Sequence, residues 1–209
     1  MDVLEPSHLI TDEASLEALY GTPSEPAVMK ELDHVHRHYR AFIEAAPFLA
    51  MATAGPGGLD VTPRGDPPGF VEVVDEKTLL IPDRRGNNRV DSLRNLIHDP
   101  RIALLFLIPG VGETLRVNGR ASISVAPELL ARFPAQGKLP RSVIVVRVES
   151  VYFQCPKALV RSDLWNPDKH IPRSALPSSG TILADITKGQ VGGIEYDRAY
   201  PQRLKETIY

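Results

Sequence analysis

The chain has a single cysteine, Cys155, and that scarcity excludes an intramolecular disulfide framework and any zinc site built on several thiolates. Cys155 reads as a small buried hydrophobe. An excess of charge of one sign is also lacking. A formal net charge of -2 and a pI near 6.3 give no global field to attract nucleic acid or an anionic membrane, so any anion recognition must be local. No apolar run is long enough to span a bilayer, and the start lacks the basic, apolar and small-residue order of a secretory signal. The expectation is a cytoplasmic protein with no nucleic-acid or membrane partner.

What is present is enough apolar residue, 43% of 209, to bury a sizeable core. Residues 1–47 read as helical. Thr11 is placed to cap a short helix with Asp12 and Glu13 in its first turn. Ser24 opens a longer one, in which Val28, Leu32, Val35, Tyr39, Phe42 and Ile43 recur at intervals of three and four and form one apolar stripe for docking on the rest of the protein. From Phe48 the period changes. "FLAMATAG", "LDVTPRG", "GFVEVVD", "TLLIPD", "RIALLFLIP", "ETLRVNGRASISV" and "RSVIVVRVESVYF" are short, apolar or β-branched, and separated by Gly, Pro and Asp turn signals. Most links are too short for crossover helices, which predicts a mainly β, α+β fold: an antiparallel barrel of six to seven strands, closed or half closed. "PGVGE" is the clearest hairpin turn. "VDSLRNLIHDP" interrupts the strands with one helix, its apolar face drawn by Leu93, Leu96 and Ile97 and its end set by Pro100. The barrel runs through residues 48–165, and 166–209 reads as a loop or arm of the same domain, rich in Pro, Ser, Gly and Thr between Ile171 and Gly193.

Chemistry concentrates in "IPDRRGNNRVDSL". Arg84 and Arg85 follow a strand, Gly86 frees the backbone to turn, and Asn87, Asn88 and Arg89 arrive where a helix begins. A helix N-terminus with cations beside it is an anion site for which phosphate is the obvious guest. Spacing alone allows equally a solvated turn whose arginines pair with Asp83 and Asp91. Two strands add basic positions. Residues two apart share a face, so Thr62 and Arg64 go together, as do Thr114 and Arg116. In a barrel such faces can converge on one ligand. "HVHRH" sets His34 and His38 four apart, a metal-compatible helical spacing, but no glutamate lies between paired histidines as in zincins. A solvated helix face is the better reading and no metal is expected.

In their order, "FLAMATAG", "VTPRGD", "LLIPD", "RRGNNRVDSLRNLIHDPRIALLFLIPG" and "ETLRVNGRA" resemble the pyridoxamine 5'-phosphate oxidase-related family of FMN-binding split barrels, in a branch with extra N-terminal helices. "CPKALVRSDLW" extends the resemblance to Trp165. It implies that FMN is the cofactor, with Thr62, Pro63, Arg64 and Gly65 along the ring and ribityl chain, Ile81 and Pro82 at the next strand end, and Asn88 and Arg89 at the phosphate, with Arg84 and Asn87 as further candidates. Thr114 is implied as a polar contact from a barrel strand, with Arg116 two further on. Lys157, Arg161, Ser162 and Trp165 resemble the segment a second subunit lays over the cofactor, which implies a homodimer with its sites at the interface. The Tyr, Arg and Ser series and the Arg-x-His by which the pyridoxine-phosphate oxidases hold their substrate are not evident, so the implied activity is FMN-dependent hydride transfer through flavin N5 to or from an unassigned small molecule. No catalytic side chain is designated. Non-catalytic binding of flavin, haem or a deazaflavin, and a cofactor-free dimeric scaffold, are the alternatives.

Overall fold

The computed structural model describes residues 5–209, which divide into two compact units, one ending at Glu31 and the other running from Leu32 to Tyr209. The first unit holds α1 (Glu13–Tyr20) and α2 (Glu25–Met29). Asp12, not Thr11, caps α1: its extended backbone lets the carboxylate accept the Ser15 N–H at 2.8 Å. The long helix expected from Ser24 is broken. Leu32 exchanges two backbone hydrogen bonds with Val151, and the next helix, α3 (Arg37–Ala45), starts only after His36. Leu32, Val35 and Tyr39 keep a spacing that an extended segment followed by a helix satisfies as well as one helix does. Val35, Tyr39 and Ile43 are buried. His34 precedes the helix and bonds Asp33, so the His34–His38 pair does not share a helical face.

The strands fall where turn residues bound the alternating runs: β1 (Phe48–Gly55), β2 (Gly58–Gly65), β3 (Glu72–Asp75), β4 (Thr78–Asp83), β5 (Arg101–Leu107), β6 (Thr114–Ser124) and β7 (Ser142–Gln154). They form one seven-stranded sheet in the order β2-β1-β5-β6-β7-β4-β3, antiparallel at every pairing. Alternate residues of six strands, among them Leu49, Met51, Val73, Ile81, Leu104, Phe106, Leu115, Val117, Ile144 and Val146, meet in one buried cluster. A flat sheet cannot bring Val73 of β3 and Met51 of β1 into one interior; this sheet curls on itself. The outer strands β2 and β3 each have one neighbour, so the barrel is split.

Between β4 and β5 lies α4 (Asp91–His98), which packs Leu96 and part of Leu93 into the core while Ile97, expected on that face, is 73% exposed. A four-residue helix, α5 (Pro127–Leu130), follows β6. It leads into Phe133, which packs on Leu80 and Val143 outside the barrel. After β7 come α6 (Lys157–Ser162), α7 (Ser179–Ile186) and α8 (Gly193–Thr207). The C-terminal region expected as loop is therefore largely helical. Ser178 caps α7 by accepting the Thr181 N–H at 3.0 Å, and Asp197 of α8 reinforces that end by accepting from the Ser178 hydroxyl and the Gly180 N–H. Cys155 is exposed, not buried. No helix among the described residues is long and apolar enough to cross a membrane.

The β6–β7 ladder shifts register between Asn118 and Gly119, and a Cβ at Gly119 would run into the Arg147 carbonyl. Gly119→Ala is expected to destabilise the protein by about 1–3 kcal/mol through overpacking. Gly57→Ala, where nothing lies within 4 Å, is expected to change it by less than about 0.5 kcal/mol. Urea unfolding of both variants checks the contrast.

Candidate functional site

A cleft of about 570 Å³ opens where the ends of β2 and β4 meet the segment leading into α4, a volume in the range of small-molecule sites. Its wall brings together Thr62, Pro63, Arg64 and Gly65 with Pro82, Arg84, Asn87, Asn88 and Arg89, two segments separated in the chain by β3 and most of β4.

Two reciprocal ion pairs build that junction. Arg64 of β2 lies 3.4 Å from the Asp83 carboxylate at the end of β4, and Arg84, the next residue, donates from Nε to Asp66, just past β2, at 2.7 Å. All four side chains are at most 19% exposed. Arg64 is held further by donating to the Thr62 hydroxyl and the Pro63 carbonyl, each at 3.0 Å, and to the Ser92 hydroxyl of α4 at 3.1 Å. Its Nε–H is buried and has no protein acceptor. Arg84 also donates to the Phe133 carbonyl at 2.7 Å, and the Tyr209 hydroxyl donates to the second oxygen of Asp66 at 2.6 Å. Of the two carboxylates that spacing offered to the arginines, Asp91 takes Arg89 at 2.7 Å and Asp83 takes Arg64 rather than Arg84.

The turn into α4 is conformationally unusual. Asn88 (φ 62°) and Val90 (φ 51°) are left-handed, a region that a β-branched residue rarely adopts. Val90 is the N-cap and has no side-chain oxygen to cap with, so first-turn N–H groups lack the usual acceptor. Arg89 is exposed and Arg85 is exposed beside it. Burial pushes the Asp83 carboxyl above the ordinary aspartate range, partly offset by Arg64 and Arg141.

The other expected site residues stand elsewhere. The Ile81 side chain is wholly buried in the barrel interior. Thr114, Arg116, Lys157, Arg161, Ser162 and Trp165 are not in the cleft wall. Register explains Arg116. It pairs through Leu105 and Ala50 with Pro63, and directly paired residues share a sheet face, so it lies on the face opposite Arg64. There it donates to the Tyr152 hydroxyl at 2.7 Å. Trp165 donates from Nε1 to the Val111 carbonyl at 2.8 Å, which seats the α6 segment on the β5–β6 turn. Sequence reasoning passed over Asp66, Ser92, Arg141 and Tyr209 in the wall. Arg141 reaches the wall because it precedes Ser142, the ladder partner of Asp83, a pairing that no local sequence pattern announces.

A family model described as Pyridoxamine 5'-phosphate oxidase matches residues 35–155. Among solved structures, HupZ of Group A Streptococcus is similar at 16% identity and a TM-score of 0.46 over 56% of this chain and 90% of that one. An FMN-binding protein from Syntrophomonas wolfei is similar at 14% identity and a TM-score of 0.42 over 67% and 95%. General Stress Protein 26 from Bacillus anthracis is similar at 14% and a TM-score of 0.37 over 55% and 88%. No curated protein matches the chain.

Removing Asp66 strands the Arg84 guanidinium. Asp66→Ala is expected to lower unfolding free energy by about 3 kcal/mol, as for a broken buried pair, while Asp91→Ala, whose partner is 76% exposed, is expected to cost less than about 1 kcal/mol. Asp83 carries a pH signature. Its folded-state pKa is raised, so its stabilising contribution is complete below the ordinary aspartate pKa and is lost as pH rises through the folded value. The stability of Asp83→Asn relative to the unmutated protein is therefore expected to increase with pH across the acidic range; chemical unfolding at several pH values measures the trend, and a difference that stays flat or falls contradicts it.

Proposed function

The chain belongs to the pyridoxamine 5'-phosphate oxidase family, and from that premise we propose that the cleft binds FMN and that the protein is an FMN-dependent oxidoreductase acting on a small molecule. The observation that carries the reading is the buried, acceptor-less Nε–H of Arg64 in the wall of a ligand-sized cleft. A buried donor left unsatisfied costs about 1–3 kcal/mol, and a flavin, rich in oxygen and nitrogen acceptors, supplies what the protein does not. The donor set at the other end suits a phosphate: Arg89, Asn88 and first-turn N–H groups of α4 that Val90 does not cap. Arg89 would exchange Asp91 for the phosphate, one anion for another.

When bound, the flavin supplies hydride transfer at N5. The work of the chain is orientation. Arg64 is clamped by Thr62, Pro63, Ser92 and Asp83 and so presents its guanidinium without further loss of side-chain freedom. Thr62 is itself held as an acceptor by that arginine. No side chain is assigned as the base or acid.

We also propose that the active form is a homodimer. The outward face of β2 and β1 carries Leu59 (89% exposed), Val61 (68%) and Phe48 (41%) beside Ala50, Ala52 and Ala54, a continuous apolar surface of the kind that a partner covers. A second copy would bring Arg116, Lys157, Arg161, Ser162 and Trp165 toward a cleft that they do not reach in their own chain.

The test is the absorbance spectrum of the purified protein with and without FMN, followed by titrations of two variants. The expected result is a yellow protein, with Arg89→Ala weakening FMN about tenfold or more for the loss of one charge-assisted hydrogen bond. Asp91→Asn, which frees Arg89 and removes a nearby negative charge, is expected to strengthen binding a few-fold, on the order of 1 kcal/mol or less. A protein that stays colourless after incubation with FMN overturns the reading. A yellow protein that neither NAD(P)H nor amines reduce is a binding protein instead, and FMN-loaded protein that sediments as a monomer at micromolar concentration removes the two-chain site.

A further inference from the structure

The two residues that follow α8, Ile208 and Tyr209, stand in the wall of the cleft, and residues 171–209, which deliver them there, lie outside the stretch matched by the family model. Tyr209 meets the barrel in three ways. Its hydroxyl donates to Asp66 at 2.6 Å, its ring centre lies 5.5 Å from the Arg84 guanidinium, and its carbonyl oxygen accepts from Lys138 Nζ at 2.8 Å. Each partner is itself fixed. Asp66 and Arg84 hold each other at 2.7 Å, and Arg84 also holds the Phe133 carbonyl. Lys138 ends a tight reversal, exchanging backbone hydrogen bonds of 2.9 Å with Ala135 across Gln136 (φ 48°) and Gly137 (φ 74°), the left-handed pair of a type I′ turn. Tyr209 is therefore seated in a rigid receptacle, two parts of which, Asp66 and Arg84, border the cleft.

The arm behind Tyr209 is built differently. α7 and α8 approach so closely that a Cβ at Gly180 would run into the Gly193 carbonyl, and Asp197 accepts the Gly180 N–H at 2.8 Å, so the hairpin holds together as one body. It buries little against anything else: α8 has no buried residue and α7 only Gly180, while Ile182, Ile186, Ile194 and Leu204 are exposed. Among the described residues, the hydrogen bonds and ion pairs of residues 171–208 stay within that stretch, and those that reach the barrel are made by Tyr209. The connection ahead of α7 is extended at Pro172 and Leu176, on either side of a single 3-10 turn. An element with few buried apolar contacts opens at low free-energy cost, so the seat of Tyr209 decides whether this arm is up or down.

We propose that Tyr209 is the gate of the cleft, carried on the α7–α8 hairpin: seated on Asp66, Arg84 and Lys138 it walls in the occupant, and lifted with the hairpin it opens that side for exchange. An occupant that leaves and one that enters cross the same barrier, because both require the Asp66 and Lys138 bonds to break. That separates a gate from a ligand contact, whose loss speeds departure alone. The proposal rests on the flavin reading only for the identity of the occupant.

Stopped-flow fluorescence of FMN association with the full chain, and of its dissociation on dilution, tests the gate. Tyr209→Phe, which keeps the ring and removes the bond to Asp66, is expected to raise both rate constants about tenfold, for one charge-assisted hydrogen bond, and to leave Kd within about threefold. Lys138→Ala is expected to raise both rates in the same direction, and Lys138→Arg to restore them. Circular dichroism checks that each variant is folded. An association rate unchanged in Tyr209→Phe overturns the gate, whether Kd is unchanged too or weakens, in which case Tyr209 is an ordinary ligand contact. Should the protein take no FMN at all, the flavin reading fails alone, and hydrogen exchange of the ligand-free chain decides the gate. Residues 193–209 must then exchange faster in Tyr209→Phe and in Lys138→Ala than in the unmutated protein, with the β1–β5 ladder unchanged; equal exchange overturns it.

Discussion

The barrel is closed across its split by charge rather than by backbone. β2, at one end of the strand order, lacks a second neighbour to pair with, and what ties its terminus to β4 is the exchange of arginines and aspartates, Arg64 to Asp83 and Arg84 to Asp66. Taking four such groups from water is expensive, and the attraction between them offsets that only with good geometry and further hydrogen bonds. Here the further bonds exist: Ser92 and Thr62 on Arg64, the Phe133 carbonyl on Arg84, the Tyr209 hydroxyl on Asp66. Helix α4, the β6–β7 connection and the last residue of the chain all attach to this junction. The cleft is the space it leaves.

That constraint sorts arginines that look alike in the sequence. Arg84 has its Nε and Nη1 committed within the protein, so it serves as framework for any ligand rather than as its clamp. Arg64 is committed at both terminal nitrogens and uncommitted only at Nε. Arg89 holds one exposed carboxylate, and an exposed pair in water contributes at most about 1 kcal/mol, which an incoming phosphate can replace. The cations available to anions therefore lie at the rim and those that define the shape lie beneath, an arrangement in which binding need not dismantle the closure.

The strands were legible because each is a short apolar or β-branched run bounded by turn residues within the chain's own text: β1 and β4 are "FLAMATAG" and "TLLIPD" to the residue. The inserted helix was legible through Leu93 and Leu96. The break between α2 and α3 was not, because Leu32 pairs with Val151, a partner more than a hundred residues away, and periodicity is blind to such competition. The C-terminal helices were obscured by local composition: the Pro, Ser, Gly and Thr that read as loop include Ser178, the cap of α7, and Pro201 sits inside α8. Of the cleft, the basic turn and "VTPRG" were readable as chemistry. Their pairing through Asp66 and Ser92 was not, since which aspartate meets which arginine is decided by the curl of the sheet.

Sheet parity separates the two basic strand motifs. Thr62 and Arg64 face the barrel interior with Leu49 and Met51, whereas Thr114 and Arg116 face outward with Ala50 and Leu105. Side chains on opposite faces of one continuous sheet cannot grip the same small molecule from within one chain, however close their strands lie in the order. If both basic motifs serve one ligand, the outward set must act on a different copy, and the surface that would receive that copy is the one on which Leu59 and Val61 stand exposed. Under the proposed homodimer the two arginine motifs would set a stoichiometry. A cleft assembled from the inner face of one chain and the outer face of another gives two equivalent sites per pair of chains, related by the two-fold axis of an isologous contact.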